Sequence, residues 1–130
     1  MAANPPLRVL YVEDDRVAAL LFVEALRDAP QFEVELAETG AEALELAARW
    51  SPDVLVVDAN LPDTSGPALL SQLQALPGLA QVPAFICSAD ALLKGELAGM
   101  AVAFAGYWLK PVQRSTLLSD LGALAPIPRA

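Results

Sequence analysis

Short apolar runs alternate with segments of helical period along this whole chain, and that alternation restricts the fold more than any other feature. Leu7-Arg8-Val9-Leu10-Tyr11-Val12 is brief, rich in branched side chains and preceded by Pro5-Pro6, so it reads as a central strand. After Glu13-Asp14-Asp15 the period changes. Val17, Leu20, Leu21, Glu24 and Leu26 predict a helix over 16–29 with a broad, interrupted apolar face, capped by Asp14 or Asp15 and ended near Pro30. Phe32-Glu33-Val34-Glu35-Leu36-Ala37 alternates strictly, as an edge strand with one wet face does. Thr39 with Glu42 resembles a capping box for a helix over 41–50, with Leu44, Ala47 and Ala48 at helical spacing.

Ser51-Pro52-Asp53 breaks that helix, and Val54-Leu55-Val56-Val57 is apolar throughout, as a strand buried on both faces must be. Residues 61–66 have turn composition, and Pro67 suits the first position of a helix running to about 76. A strand is expected over 83–87, a weaker helix interrupted by Gly95 and Gly99 over 91–102, a strand over 107–109 and a last helix over 115–124. Residues 126–130 are expected to fray. Strand and helix thus alternate five times. Right-handed crossovers place such helices on both faces of one parallel sheet, an α/β architecture. The 130 residues suit one domain, expected over 5–125.

Composition removes several functions. The formal net charge is −8, and no basic stripe exists to neutralise nucleic-acid phosphates or an anionic membrane surface. No apolar run approaches the ~20 residues of a membrane span, and the first six residues lack a signal-peptide pattern. The chain has no histidine, which excludes His-based acid–base catalysis, Ser-His-Asp triads and most zinc sites. The single cysteine, Cys87, cannot form an internal disulfide and fits a reducing cytoplasm, the expected location. Its place before Ser88 predicts that it points into the sheet–helix core.

What remains is concentrated at the strand ends. The first strand ends in Glu13-Asp14-Asp15, the third in Asp58, the fourth in Ser88 and the fifth in Lys110. The carboxyl ends of parallel strands share one edge, where the crevice of an open α/β sheet lies. Any one of these residues alone reads as a helix cap or a solvated loop; their convergence does not. Clustered carboxylates repel unless a cation joins them, and all-oxygen ligands favour Mg²⁺, or Mn²⁺ in its place. Lys110 can pair with a phosphoryl oxygen, Ser88 can donate to another, and Asp58 is the natural nucleophile for an aspartyl phosphate.

These segments resemble the receiver domain of two-component response regulators: 9–15, Val54-Leu55-Val56-Val57-Asp58-Ala59-Asn60-Leu61-Pro62-Asp63-Thr64-Ser65-Gly66, Pro83-Ala84-Phe85-Ile86-Cys87-Ser88-Ala89, and Gly106-Tyr107-Trp108-Leu109-Lys110-Pro111. The resemblance runs from about Leu7 to Leu124. It implies a flavodoxin-like, doubly wound (βα)5 fold, three layers deep, with strand order 2-1-3-4-5. It implies that Asp14 ligates the metal and Glu13 acts mainly through water. Asp58 would be phosphoacceptor and ligand, and Asn60 would contribute its backbone carbonyl. It assigns the hydroxyl to Ser88, the lysine to Lys110 ahead of a cis Pro111, and the aromatic switch to Tyr107. The switched face would be that of the fourth helix, fifth strand and fifth helix.

Some positions depart from the family's pattern. Asp15 adds a third acid, read first as a helix cap, and Ala103, Phe104 and Ala105 make the approach to Tyr107 unusually apolar. Trp108 should point away from Tyr107, into packing or a partner surface. Asn60 and Asp90 flank the phosphate position and are expected to tune aspartyl-phosphate lifetime.

The leading expectation is a switch that takes a phosphoryl group from a histidine kinase or histidine phosphotransfer protein onto Asp58 with Mg²⁺. It would catalyse its own phosphorylation and dephosphorylation and pass the change to a downstream protein. The alternative is a phosphate-independent interaction module, a pseudo-receiver. A strand-end Asp phosphatase is disfavoured because Asp58-Ala59-Asn60 lacks the second acid, and a flavin protein because three carboxylates would repel a flavin phosphate. The sequence leaves open the kinase, the input, the output, and whether the chain is free or part of a longer regulator. The apolar segment 101–105 allows a homodimer or a kinase-docking face without requiring either.

Overall fold

The computed structural model describes residues 5–89 and 104–124. The expected helix over 91–102, Asp90, Ala103 and the tail lie outside the described residues. The elements are β1 (Leu7–Val12), α1 (Arg16–Ala25), β2 (Phe32–Ala37), α2 (Gly40–Trp50), β3 (Val54–Asp58), α3 (Gly66–Gln74), β4 (Ala84–Ser88), β5 (Gly106–Leu109) and the C-terminal α4 (Arg114–Gly122). All strand pairs are parallel, and the sheet order is β2-β1-β3-β4-β5, the flavodoxin-like order that the resemblance implied.

The central strands read as unbroken apolar runs because period two sends alternate residues into two separate cores. Leu10, Val12, Leu55, Val57 and Ile86 join α2 and α3 on one face. Val9, Tyr11, Val54, Val56, Phe85 and Cys87 join Phe22 of α1 and Leu117 and Leu121 of α4 on the other. β2 has only β1 beside it, and its residues alternate between half-buried and exposed until Ala37, as expected of an edge. Tyr107 and Trp108 part as period two requires. Tyr107 packs on the α2–α3 side; Trp108 is buried on the other, stacks on Phe85 at 4.4 Å and donates its indole N–H to Asp120 at 2.7 Å. Trp108 is therefore a packing residue.

The helix caps follow the sequence closely. Asp15, not Asp14, accepts from Val17 N and Ala18 N. Thr39 accepts from Glu42 N, and Ser65 from Ala68 N with Pro67 in the first turn. Two helical faces differ from expectation. α1 stops at Ala25 rather than at residue 29 and turns Ala19 and Phe22 inward, with Leu26 buried just beyond it. Val17, Leu20 and Leu21 are 66%, 65% and 59% exposed. The Tyr11–Phe22 ring contact, at 4.2 Å between centroids, holds α1 in this rotation. In α2 the buried stripe is Gly40, Ala43, Leu46 and Ala47, and Ala48 faces solvent. No helix among the described residues is long and apolar enough to cross a membrane.

Candidate functional site

The parallel register carries the ends of β1, β3, β4 and β5 to one edge. Glu13 follows β1 directly, and its backbone N–H donates to Ala37 O of β2 at 2.9 Å. Its carboxylate is buried. Oε1 accepts from Tyr11 Oη at 3.0 Å and pairs with Lys110 Nζ, while Asp15 N lies 3.4 Å from Oε2. Asp14 is exposed beside it. Asp58, the last residue of β3, is 7% exposed, and its Oδ1 lies 3.2 Å from Lys110 Nζ. One ammonium thus spans carboxylates from two strands.

The loop after β3 is held close to Asp58. Gly66 N donates to Ala59 O at 2.9 Å, and a Cβ on Gly66 would stand 2.6 Å from the Asp58 carbonyl oxygen, so only glycine fits. Asn60 is exposed in this loop and bridges to Ser65. Asp63 accepts from Gly40 N at 2.9 Å and Ala41 N at 3.1 Å, which ties the loop to the start of α2. These two donors hold the Asp63 carboxyl below the usual carboxylate range. Ser88, at the end of β4, is buried, and its carbonyl accepts from Lys110 N at 2.9 Å. The Lys110–Pro111 bond is cis, as the resemblance implied.

The electrostatics follow from burial and proximity. Burial, then the neighbouring Glu13, pushes the Asp58 carboxyl up to about 6, against the opposing pull of Lys110. Burial would lower Lys110, but the Glu13 hydrogen bond and the Asp58 charge outweigh it and hold the ammonium above its ordinary range. Burial also raises the Tyr11 phenol far above its usual value and the Cys87 thiol to about 12, so both stay protonated at neutral pH. One oxygen each from Glu13, Asp14 and Asp58 lie within 4.8 Å of one another, an all-oxygen cluster capable of coordinating a hard divalent cation. Among the described residues the carboxylates outnumber the one ammonium at the cluster, so its charge balance favours a cation.

The structure therefore brings Glu13, Asp14 and Asp58 within 4.8 Å of one another, pairs Lys110 with Glu13 and Asp58, and sets Ser88 and Asn60 on the adjoining strand end and loop. Tyr107 lies on β5, on the α2–α3 side of the sheet. Sequence reading missed Tyr11, which passed for an ordinary core residue. The signal was present in its spacing: two residues before Glu13 on a strand means the same face.

Known proteins match along this frame. The chain is 31% identical over 117 residues to a probable transcriptional regulator, ycf29, of Pyropia yezoensis, covering 90% of this chain and 52% of that protein. It is 33% identical over 117 residues to the transcriptional regulatory protein PrrA of Mycobacterium leprae, covering 90% and 49%. It thus spans about half the length of these curated relatives. Among solved structures, the chemotaxis response regulator CheY4 of Vibrio cholerae superposes with a TM-score of 0.81 at 28% identity, covering 91% of this chain and 98% of that one. The receiver domain of a sensor histidine kinase from Pseudomonas aeruginosa, solved with a magnesium ion in its active-site cleft, gives 0.81 at 25% identity, covering 92% and 97%. The family model of the response regulator receiver domain matches residues 9–121, from the first buried strand to the last helix and across every strand end described above, and the chain belongs to that family.

Proposed function

We propose that this protein is a cytoplasmic phosphoacceptor switch that receives a phosphoryl group on Asp58 from a histidine kinase or histidine phosphotransfer protein. One observation supports this above the rest: Lys110 Nζ joins Glu13 and Asp58 at the mouth of a three-carboxylate cluster. In the transfer, an Asp58 carboxylate oxygen attacks phosphorus, an O–P bond forms, the donor's P–N bond breaks, and the imidazole leaves with a proton. Glu13, Asp14, Asp58 and the Asn60 carbonyl would hold Mg²⁺ or Mn²⁺, with Glu13 acting mainly through water. When bound, the cation offsets charge on the phosphoryl oxygens. Lys110 pairs with one of those oxygens and Ser88 donates to another. The output is a movement of Ser88 and Tyr107 that remodels the β5 face for a downstream protein. Asn60 and Asp90 set how readily water reaches the acyl phosphate.

The surface offered to the donor is the exposed apolar side of α1. Val17 and Leu21 border a cleft that Lys110, Pro111 and Val112 also line, so a donor helix lying there would reach the acids. Intact mass after incubation with Mg²⁺ and acetyl phosphate tests the reading. The expected result is a single phosphate adduct that requires Mg²⁺ and is absent from Asp58→Ala. A folded protein that takes no phosphate from acetyl phosphate or from any phosphohistidine donor would point instead to the pseudo-receiver.

A further inference from the structure

We propose that Tyr11 is a positioning residue for the acid cluster: its buried hydroxyl holds the Glu13 carboxylate in place when Lys110 turns to the phosphoryl group. The inference rests on the receiver reading above and extends it to a side chain outside the family-derived set.

The β1 position could be filled by any branched apolar residue, since Val9 and Val56 fill the same layer. A phenol there introduces a polar atom into the core, which must find a partner. It finds Glu13 Oε1 at 3.0 Å, and the pair is buried. The phenol is the donor in that bond, since Glu13 Oε1 accepts. Cys87 Sγ lies behind the ring's hydroxyl, 3.8 Å from the Tyr11 oxygen and 3.7 Å from Val57 O. The ring itself is pinned against Phe22 of α1.

Lys110 cannot serve every acceptor equally. In the unphosphorylated protein it is shared between Glu13 Oε1 and Asp58 Oδ1. Pairing with a phosphoryl oxygen draws it from Glu13, and a buried carboxylate deprived of its donor is costly. Tyr11 remains, on the same oxygen, and keeps the charge satisfied and the carboxylate in its orientation, with Oε2 beside Asp15 N. Partners of this outer kind commonly change metal affinity 10- to 100-fold when removed.

The test compares Mg²⁺ affinity, by titration calorimetry at pH 8, in the wild type, Tyr11→Phe, Tyr11→Leu and Val9→Ala. Val9→Ala cuts into the same core layer without touching Glu13, so it reports on destabilisation alone. The expected result is about a tenfold weaker Kd in both Tyr11 variants, with Val9→Ala within about twofold of wild type. Acetyl-phosphate labelling at saturating Mg²⁺ should also slow in the Tyr11 variants. Tyr11→Leu decides the question if Tyr11→Phe does not fold. A Tyr11 variant that binds Mg²⁺ like the wild type, or a Val9→Ala loss as large as theirs, overturns the positioning role and leaves the receiver reading standing. A wild type that binds no Mg²⁺ overturns both.

Discussion

Asp58 is a carboxylate placed where a carboxylate is disfavoured. Its side chain is nearly buried, Glu13 stands beside it, and the one ammonium within reach among the described residues is shared. Its carboxyl is accordingly raised to about 6. An unfolded chain releases the same proton near 4. Between those values the native state binds more protons than the unfolded one, so without metal this residue makes the protein less stable as pH rises through 4 to 6. A cation at the cluster reverses the balance, because it competes with the proton for the same oxygen. Apparent Mg²⁺ affinity should therefore be level above pH 7, fall about twofold by pH 6, and drop about tenfold per unit below that. Calorimetric titrations between pH 5 and 8 measure this directly. A profile that stays flat down to pH 5 would remove Asp58 from the ligand set. The convergence of these acids was legible from the sequence because they close parallel strands that share one edge, although any one of them alone reads as a cap or a solvated loop. Tyr11 was not, because a phenol in an apolar run looks like packing until its neighbour's carboxylate is located.

At the scale of elements, the strands were more legible than the helical faces. Period two leaves only two phases, and the apolar runs of β3 and β4 satisfy both. A helix rich in alanine and leucine offers several overlapping stripes. Val17, Leu20 and Leu21 compete with Ala19, Phe22 and Leu26 for the inward side of α1. The choice is made by a long-range contact, Phe22 on Tyr11, and by the Asp15 cap that sets where the helix begins. The consequence is an apolar strip left in solvent beside the acid cluster. Charge placed on that strip should be nearly neutral for folding, within about 0.5 kcal/mol, since no core contact is lost. Leu20→Glu with Leu21→Glu should leave labelling by acetyl phosphate unchanged, because the small donor needs no docking surface. Transfer from a phosphorylated kinase or phosphotransfer domain should slow by tenfold or more. Equal slowing with both donors would show that the change had reached the site itself, and equal rates with both would remove α1 from the docking face.

Across the whole molecule, the sheet order does what no single segment can. Placing β1 and β3 side by side at the centre, with β4 and β5 following, brings residues from both ends of the chain to one edge. Lys110 is the clasp among them. It connects the end of β5 to the carboxylates after β1 and on β3, and its backbone N–H connects to β4 through Ser88. Lys110→Ala leaves two buried carboxylates facing each other with no counter-charge among the described residues. Breaking a buried pair from one side costs about 3–5 kcal/mol, and the partial exposure of Lys110 places this case at the lower end. The loss depends on both acids being ionised, so it should be largest at pH 8, where Asp58 is fully charged. It should shrink toward pH 5, where the raised carboxyl of Asp58 takes up its proton. Saturating Mg²⁺ should recover part of the loss at pH 8, since a cation at the cluster replaces the missing charge. Urea denaturation of wild type and Lys110→Ala at pH 5 and pH 8, with and without Mg²⁺, separates these contributions. A deficit that is the same in all conditions would mean that Lys110 supports the fold through its packing alone. A deficit that tracks pH and metal would mean that one ammonium holds the strand ends together by its charge, a role that a bound cation can share.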